Sequence, residues 1–320
     1  MMLNNASLYL ISVVLWGSTW LAISYQLGVV SLEISLVYRY GLATLVLFGW
    51  CWWRGLNLSF SRRDHGLFML LGLFLFSLNY IGTYSAQQYI PSALNAVVFS
   101  TMMWMNVINS RWFFGTRIEP RVYLGATLGM AGIITLFWPQ LRAVDWSDST
   151  LLGMVYCLLG AALASLGNMV SQQAQRHSLP VIQANAWGML YGTLFTLLIA
   201  MLRGRELSFD WRPEYLLSLL YLALFGSVIA FGTYLQLLGR IGAHRAGYAV
   251  VMFPLVAVAL SHWFEGLMLE WHLLLGMGLI LFGNVIVLGG LHWLGRSLRQ
   301  RWRPRKTPLP APACSADVNA

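Results

Sequence analysis

The sequence predicts an all-α integral membrane protein of ten transmembrane helices, arranged as two five-helix repeats of inverted topology. Three observations predict it. Of the 320 residues 58% are hydrophobic and 10% charged, with a mean hydropathy of +0.65. A soluble domain carries roughly 25% charge, so the bilayer has to solvate most of this surface. Segments long enough to cross the hydrocarbon core, about 20 apolar residues each, recur ten times, and the second half of the chain repeats the first.

The segments run 7–25, 32–52, 66–86, 93–114, 121–138, 150–171, 182–202, 215–236, 246–264 and 272–292. The first follows no basic stretch and precedes no small-residue cleavage signature, so it reads as a retained helix and not a signal peptide. Trp16 and Trp20 stand four residues apart on one face of it. They form either an aromatic cavity wall or a packing face, with Gly17 and Ser18 permitting close helix approach. Arg39 lies about two turns into the second segment. A cation there is costly unless it is paired or faces water. It binds a substrate carboxylate, snorkels to the interface, or pairs with Glu33.

The third segment carries a polar line, Asn79, Tyr80, Thr83, Tyr84 and Gln87, at spacings of one, three and four. In hydrocarbon such a stripe faces a wet cavity or other helices. Asn95, Ser100, Met103 and Trp104 in the fourth segment, and Asn168 with Gln172 in the sixth, pose the same alternative. The fifth opens on Glu119-Pro120, and Glu270 stands before the tenth. A carboxylate at a helix start complements the dipole, so both read as structural and not as proton carriers. Tyr234 and Gln236 give the eighth segment a partial counterpart to the third. Tyr248 opens the ninth, and Pro254 inside it removes a backbone donor, kinks the helix and frees carbonyls that suit a cavity.

Charge supplies the orientation. Arg54, Arg62, Arg63, Arg111, Arg117, Arg121, Arg176, Arg240, Arg245 and the basic run from Arg296 to Lys306 fall at one set of alternate connections. Arg39, Arg142, Arg203, Arg205 and Arg212 fall at the other. The positive-inside rule assigns the richer side, with both termini, to the cytoplasm. The net charge of +9 is thus a topology signal with headgroup attraction, and nucleic acid is not an expected partner. Trp52, Trp53, Trp112, Trp138, Trp211, Trp263, Trp271 and Trp293 fall near segment ends, at headgroup level. Cys51, Cys157 and Cys314 form no disulfide framework. The end of the chain, rich in proline and alanine, reads as disordered.

The repeat aligns Ser110-Arg-Trp-Phe-Phe-Gly115 with Ser261-His-Trp-Phe-Glu-Gly266. At the same spacing Glu119 meets Glu270, Gly125 meets Gly276 and Gly132 meets Gly283. Upstream, Gly82-Thr-Tyr84 matches Gly232-Thr-Tyr234. An odd number of helices per repeat inverts the second half, the build of many secondary transporters with a site near midplane. The resulting domains are 7–138, 150–292 and a basic cytoplasmic tail, 293–320.

Trp16-Gly-Ser-Thr-Trp20, Arg39, Ile90-Pro-Ser-Ala-Leu-Asn-Ala-Val-Val-Phe-Ser100, Met252-Phe-Pro254 and the repeated Trp-Phe-x-Gly…Glu together resemble the drug/metabolite transporter superfamily, EamA-type branch, over about 7–292. The resemblance implies a ten-helix carrier of the inner membrane that exports amino acids or other metabolites, its cavity lined mainly by helices 1, 3, 4, 6, 8 and 9. One departure is local: where that family often has a helix-4 proline matching Pro254, Met103-Trp104 stands here. The expected partners are a small-molecule substrate and the lipid bilayer, in a monomer or homodimer, without cofactor or metal. A drug exporter and an uptake permease stay open. A multi-pass enzyme on lipid-linked substrates is the alternative class, against which stands the lack of clustered catalytic carboxylates, metal-ligand spacing or a phosphate loop. A channel would need a filter-like repeat or charged ring.

Overall fold

A computed structural model describes residues 3–26, 28–265, 268 and 270–288. Cys314, Trp293 and the tail 293–320 lie outside them. The described residues form helices joined by short connections: α1 (Asn5–Ser24), α2 (Leu32–Trp53), α3 (Arg62–Ala86), α4 (Ser92–Ser100), α5 (Met102–Phe114), α6 (Pro120–Leu136), α7 (Trp138–Arg142), α8 (Asp148–Arg176), α9 (Val181–Leu202), α10 (Pro213–Ile241), α11 (Ala243–Ala246), α12 (Ala249–Glu265) and α13 (Trp271–Leu288). Among the described residues, seven helical stretches are long and apolar enough to cross a membrane: α2, α3, α8, α9, α10, Ala243–Leu260 and α13. The other predicted segments hold α1, the pair α4–α5, and the 17-residue α6.

Local chemistry sets the helix ends. The Asn4 side chain accepts from the Ser7 N–H at 2.7 Å and caps α1. Ser61 and Asp64 form a reciprocal capping box that starts α3. Proline opens α6 and α10, where its missing N–H costs nothing. Gly115 ends α5 at a φ of 61°, a left-handed conformation that favours glycine.

The break between α4 and α5 at Thr101 occurs without proline. Ser100 Oγ donates to the Val97 carbonyl and Thr101 Oγ1 to the Val98 carbonyl, both at 2.6 Å. Such back-bonding competes with the helix ladder and bends it. A second irregularity recurs in both halves. The backbone is π-helical over Gly72–Leu78 within α3 and Leu224–Ile229 within α10, and such bulges cluster at functional sites.

Packing follows a pattern that survives exchange of the two halves. α2 lies against α9 and α6 against α13. The contacts of α3 with α8 and α9 are mirrored by those of α10 with α1 and α2, and the contact of α5 with α8 by that of α12 with α1. Glycines make the α6–α13 seam. A Cβ at Gly132 would sit 2.8 Å from the Gly276 carbonyl, and one at Gly125 would sit 2.7 Å from the Gly283 carbonyl. Rising numbers on α6 therefore meet falling numbers on α13, so the two helices run antiparallel. Tyr248, fully buried, fills the space beside Gly129 and Gly283 and donates to the Ile280 carbonyl at 3.1 Å.

Tryptophans divide as their positions suggest. Trp52, Trp53, Trp112, Trp138, Trp211, Trp263 and Trp271 are exposed. Among those nearer mid-helix, Trp104 packs on Tyr123, and Trp187 stacks on Tyr191 while its Nε1 donates to the Leu58 carbonyl.

Glu119 precedes α6, as the Glu-Pro pair suggests, and pairs with both Arg121 and Arg245. The Arg121 hydrogen bond, together with the Arg245 charge, holds its carboxyl below the usual carboxylate range. A depressed pKa stabilises the fold above the unfolded value, and that contribution is lost as pH falls through the folded one. Glu119→Gln is therefore expected to lower the Tm slightly at neutral pH, with the gap to wild type closing as pH drops below about 4. A pH series of thermal melts in detergent checks it; a gap constant down to acid pH would contradict the pairing.

Candidate functional site

A cavity lies in the middle of the bundle, with an empty volume of about 1140 Å³ counting the part open to solvent. Both halves wall it. α1 contributes Trp16 and Thr19; α3 contributes Asn79, Tyr80, Thr83, Tyr84 and Gln87; α4 contributes Asn95 and Phe99. From the second half come Asn168 of α8, Phe231 and Tyr234 of α10, and Phe253 and Pro254 of α12, with Arg39 of α2 at one edge. The polar line of α3 thus faces the cavity along its whole length.

Arg39 is only 4% exposed. Its Nε donates to Ser227 Oγ at 2.9 Å and its Nη2 to the Gly226 carbonyl at 3.3 Å. The guanidinium lies 5.4 and 5.5 Å from the ring centres of Tyr40 and Tyr80, within cation–π range. Among the described residues no carboxylate pairs with it. Two expectations are corrected here. Arg39 does not snorkel, and Glu33 is held instead by Arg203 at 3.0 Å and Arg205 at 3.5 Å, because α9 ends beside the start of α2.

The π-helical stretch of α10 explains how the guanidinium is accommodated. Ser227 Oγ donates to the Leu222 carbonyl, five residues back, at 3.0 Å, and still accepts from Arg39. The Gly226 carbonyl accepts from Arg39 and also from Trp16 Nε1 at 3.1 Å. One irregular turn therefore fixes two cavity residues from two other helices. The Trp16 ring packs against Phe231, Tyr234 and Phe253 at centroid distances of 4.8, 4.9 and 5.4 Å.

Six expected residues lie away from the cavity. Gln172 Oε1 accepts from the Ala243 N–H at 3.1 Å, tying α8 to α11. Ser100 is used in the back-bond at the helix break and also donates to Met130 Sδ. Met103 is buried in the core, Trp104 packs on α6, Gln236 is half-buried on another face of α10, and Tyr248 fills the α6–α13 seam. Trp20 is in α1, but its side chain is outside those described. In each resolved case helix rotation decided which side of a polar or aromatic residue met the cavity.

The residues that sequence reading missed are mainly Thr19, Phe99, Phe231 and Phe253. Apolar rings facing a cavity and apolar rings facing lipid look alike in sequence. Their spacing from polar neighbours was the available signal: Thr19 is three after Trp16, Phe99 four after Asn95 and Phe231 three before Tyr234.

A bundle of apolar helices with a solvent-reaching cavity between two similarly packed halves defines the class of polytopic membrane carriers. The model of the EamA-like transporter family matches residues 5–138 and again 151–289, and the chain belongs to that family, which is one of transporters and not of enzymes. The uncharacterized inner membrane transporter YedA of Escherichia coli is 30% identical over 285 residues, covering 87% of this chain and 88% of that protein. The uncharacterized transporter YoaV of Bacillus subtilis is 25% identical over 253 residues, 78% and 85% of the two chains. A solved crystal structure matches at 19% identity with a TM-score of 0.75, over 92% of this chain and 98% of that one; it supports the fold.

Proposed function

We propose that this protein is a ten-helix, alternating-access carrier of the inner membrane that exports an amino acid or similar small metabolite. The observation that carries the reading is the central cavity, walled by α1, α3 and α4 from one half and α8, α10 and α12 from the other. The repeated family match, the antiparallel α6–α13 seam and the exchangeable helix pairing support an inverted 5+5 repeat. Its units are 7–138 and 150–292, followed by the cytoplasmic tail 293–320. The inner-membrane description of YedA supports the membrane assigned, and the bias of arginines supports a cytoplasmic location for both termini.

In that orientation the cavity lies toward the outer face. Its inner end is closed by the Gln172 contact to Ala243, by Gln175 Nε2 donating to the Leu235 carbonyl at 2.8 Å, and by Asn168 Nδ2 donating to Asn106 Oδ1 at 3.3 Å. Rocking the halves would exchange this closure for one at the outer end. Trp16, Arg39, the α3 polar line, Asn95, Asn168, Tyr234 and Pro254 form the substrate wall.

Counterflow in proteoliposomes tests transport. Vesicles loaded with pooled unlabelled amino acids and metabolites are expected to accumulate a few labelled ones saturably, and a folded protein that accumulates none overturns the reading. Cysteines at Gln88 and Leu207 are expected to react with an impermeant reagent from outside and a cysteine at Asn57 is not; the reverse overturns the orientation.

A further inference from the structure

We infer that the transported solute is a monoanion, a carboxylate on an apolar or aromatic body, recognised through Arg39 in preference to a zwitterion or a neutral amide. The inference rests on the transport reading and, of the substrates named there, favours a small anionic metabolite over a zwitterionic amino acid. Four observations carry it.

Arg39 is the one formally charged side chain among the described residues that line the cavity; no Asp, Glu, Lys or His stands with it. It is buried without a carboxylate partner among the described residues: its hydrogen bonds run to the Ser227 hydroxyl and the Gly226 carbonyl, with the Tyr80 hydroxyl also a partner, so only neutral groups meet its charge. A buried cation without a counter-ion is stabilised by a guest that supplies one, and a guanidinium offers a carboxylate directed, charge-assisted hydrogen bonds.

The rest of the wall is neutral and rich in rings, with Trp16, Tyr80, Tyr84, Phe99, Phe231 and Phe253 among its lining. An ammonium group would find no carboxylate there. The Oδ1 atoms of Asn79, Asn95 and Asn168 are buried within the wall.

A second chamber, with an empty volume of about 940 Å³, adjoins the first and shares Arg39 and Tyr84 with it. Its wall holds Arg203 and Arg205, and its carboxylate, Glu33, is already paired with both. The chamber next to the cavity is thus net positive, and a field of that sign concentrates anions at the neck. Arg39 stands where the two spaces meet, so a solute passing between them meets its guanidinium.

The test is binding to the purified full-length protein, read by calorimetry and thermal shift, with three matched probes: 3-phenylpropionate, 3-phenylpropanamide and phenylalanine. The acid is expected to bind about tenfold or more tightly than the amide or the zwitterion. In Arg39→Gln that preference is expected to collapse toward unity, and Arg39→Lys, which keeps the charge without the planar fork, is expected to retain part of it. Equal or tighter binding of the amide or zwitterion to folded wild type overturns the inference. So does a preference unchanged in Arg39→Gln, or no binding of any probe. If Arg39→Gln does not fold, raising salt and comparing Arg39→Lys with wild type decides the same question. Counterflow of other solutes with any of these negative results would leave the carrier reading standing while removing this substrate class.

Discussion

Gly276→Leu is expected to abolish most folded, monodisperse protein. Even a Cβ at that position would lie 2.8 Å from both the Gly132 carbonyl and the Leu136 backbone nitrogen. The obstacle is backbone, which cannot rotate away as a side chain can, so α6 and α13 would have to separate along the seam they share. Overpacking in a core with mobile neighbours costs about 1–3 kcal/mol, and a rigid helix backbone places this case at or above that range. Gly278→Leu on the same helix is the control, because a Cβ there meets nothing within 4 Å. Size-exclusion profiles of the two variants from equal expression check the expectation; equal folded yields would show that the seam is not as close as its glycines imply.

Trp16→Ala is expected to lower transport by about tenfold or more. It removes the ring that packs on Phe231, Tyr234 and Phe253 and the N–H that shares the Gly226 carbonyl with Arg39. Deleting a buried aromatic costs about 3–5 kcal/mol, and this half-buried one lies toward the low end. Part of that loss falls on stability and part on the geometry of the wall. Trp16→Phe separates the two, since it keeps most of the ring packing and loses the hydrogen bond. It is expected to keep the wild-type Tm within a few degrees while reducing transport severalfold. If Trp16→Ala transports normally in the counterflow assay, the cavity wall at α1 takes no part in the substrate path.

Several features were legible because they depend on residue type and spacing alone. The polar stripe from Asn79 to Gln87 had to face a cavity or another helix, since lipid cannot satisfy it, and it faces the cavity. Trp16 was readable as a cavity or packing candidate from the helix face it shares with Trp20. Glu119 was readable as a helix-start residue from the proline after it. Gly125, Gly132, Gly276 and Gly283 were visible as repeat partners, although nothing in the sequence said that each would meet the other's equivalent across the α6–α13 seam.

Other features were not legible, and the reasons are physical. The pairing of Glu33 depended on the end of α9 arriving beside the start of α2, some 170 residues away in the chain. The environment of Arg39 depended on a π-helical turn in α10 that no residue pattern announced. Tyr248, Gln172 and Trp104 have the chemistry of cavity residues, but the rotation of their helices turned them toward neighbours. The phenylalanines of the wall carry no mark that separates a cavity face from a lipid face.

The sequence by itself determined the solvent of this protein, its helical class, the duplication and the residue types available to a site, because composition and periodicity act locally and do not depend on partners. Only the tertiary structure decided which faces meet, where the guanidinium of Arg39 rests and which polar groups satisfy one another. Those outcomes depend on helix rotation and close backbone approach, which are set by packing between segments far apart in the chain.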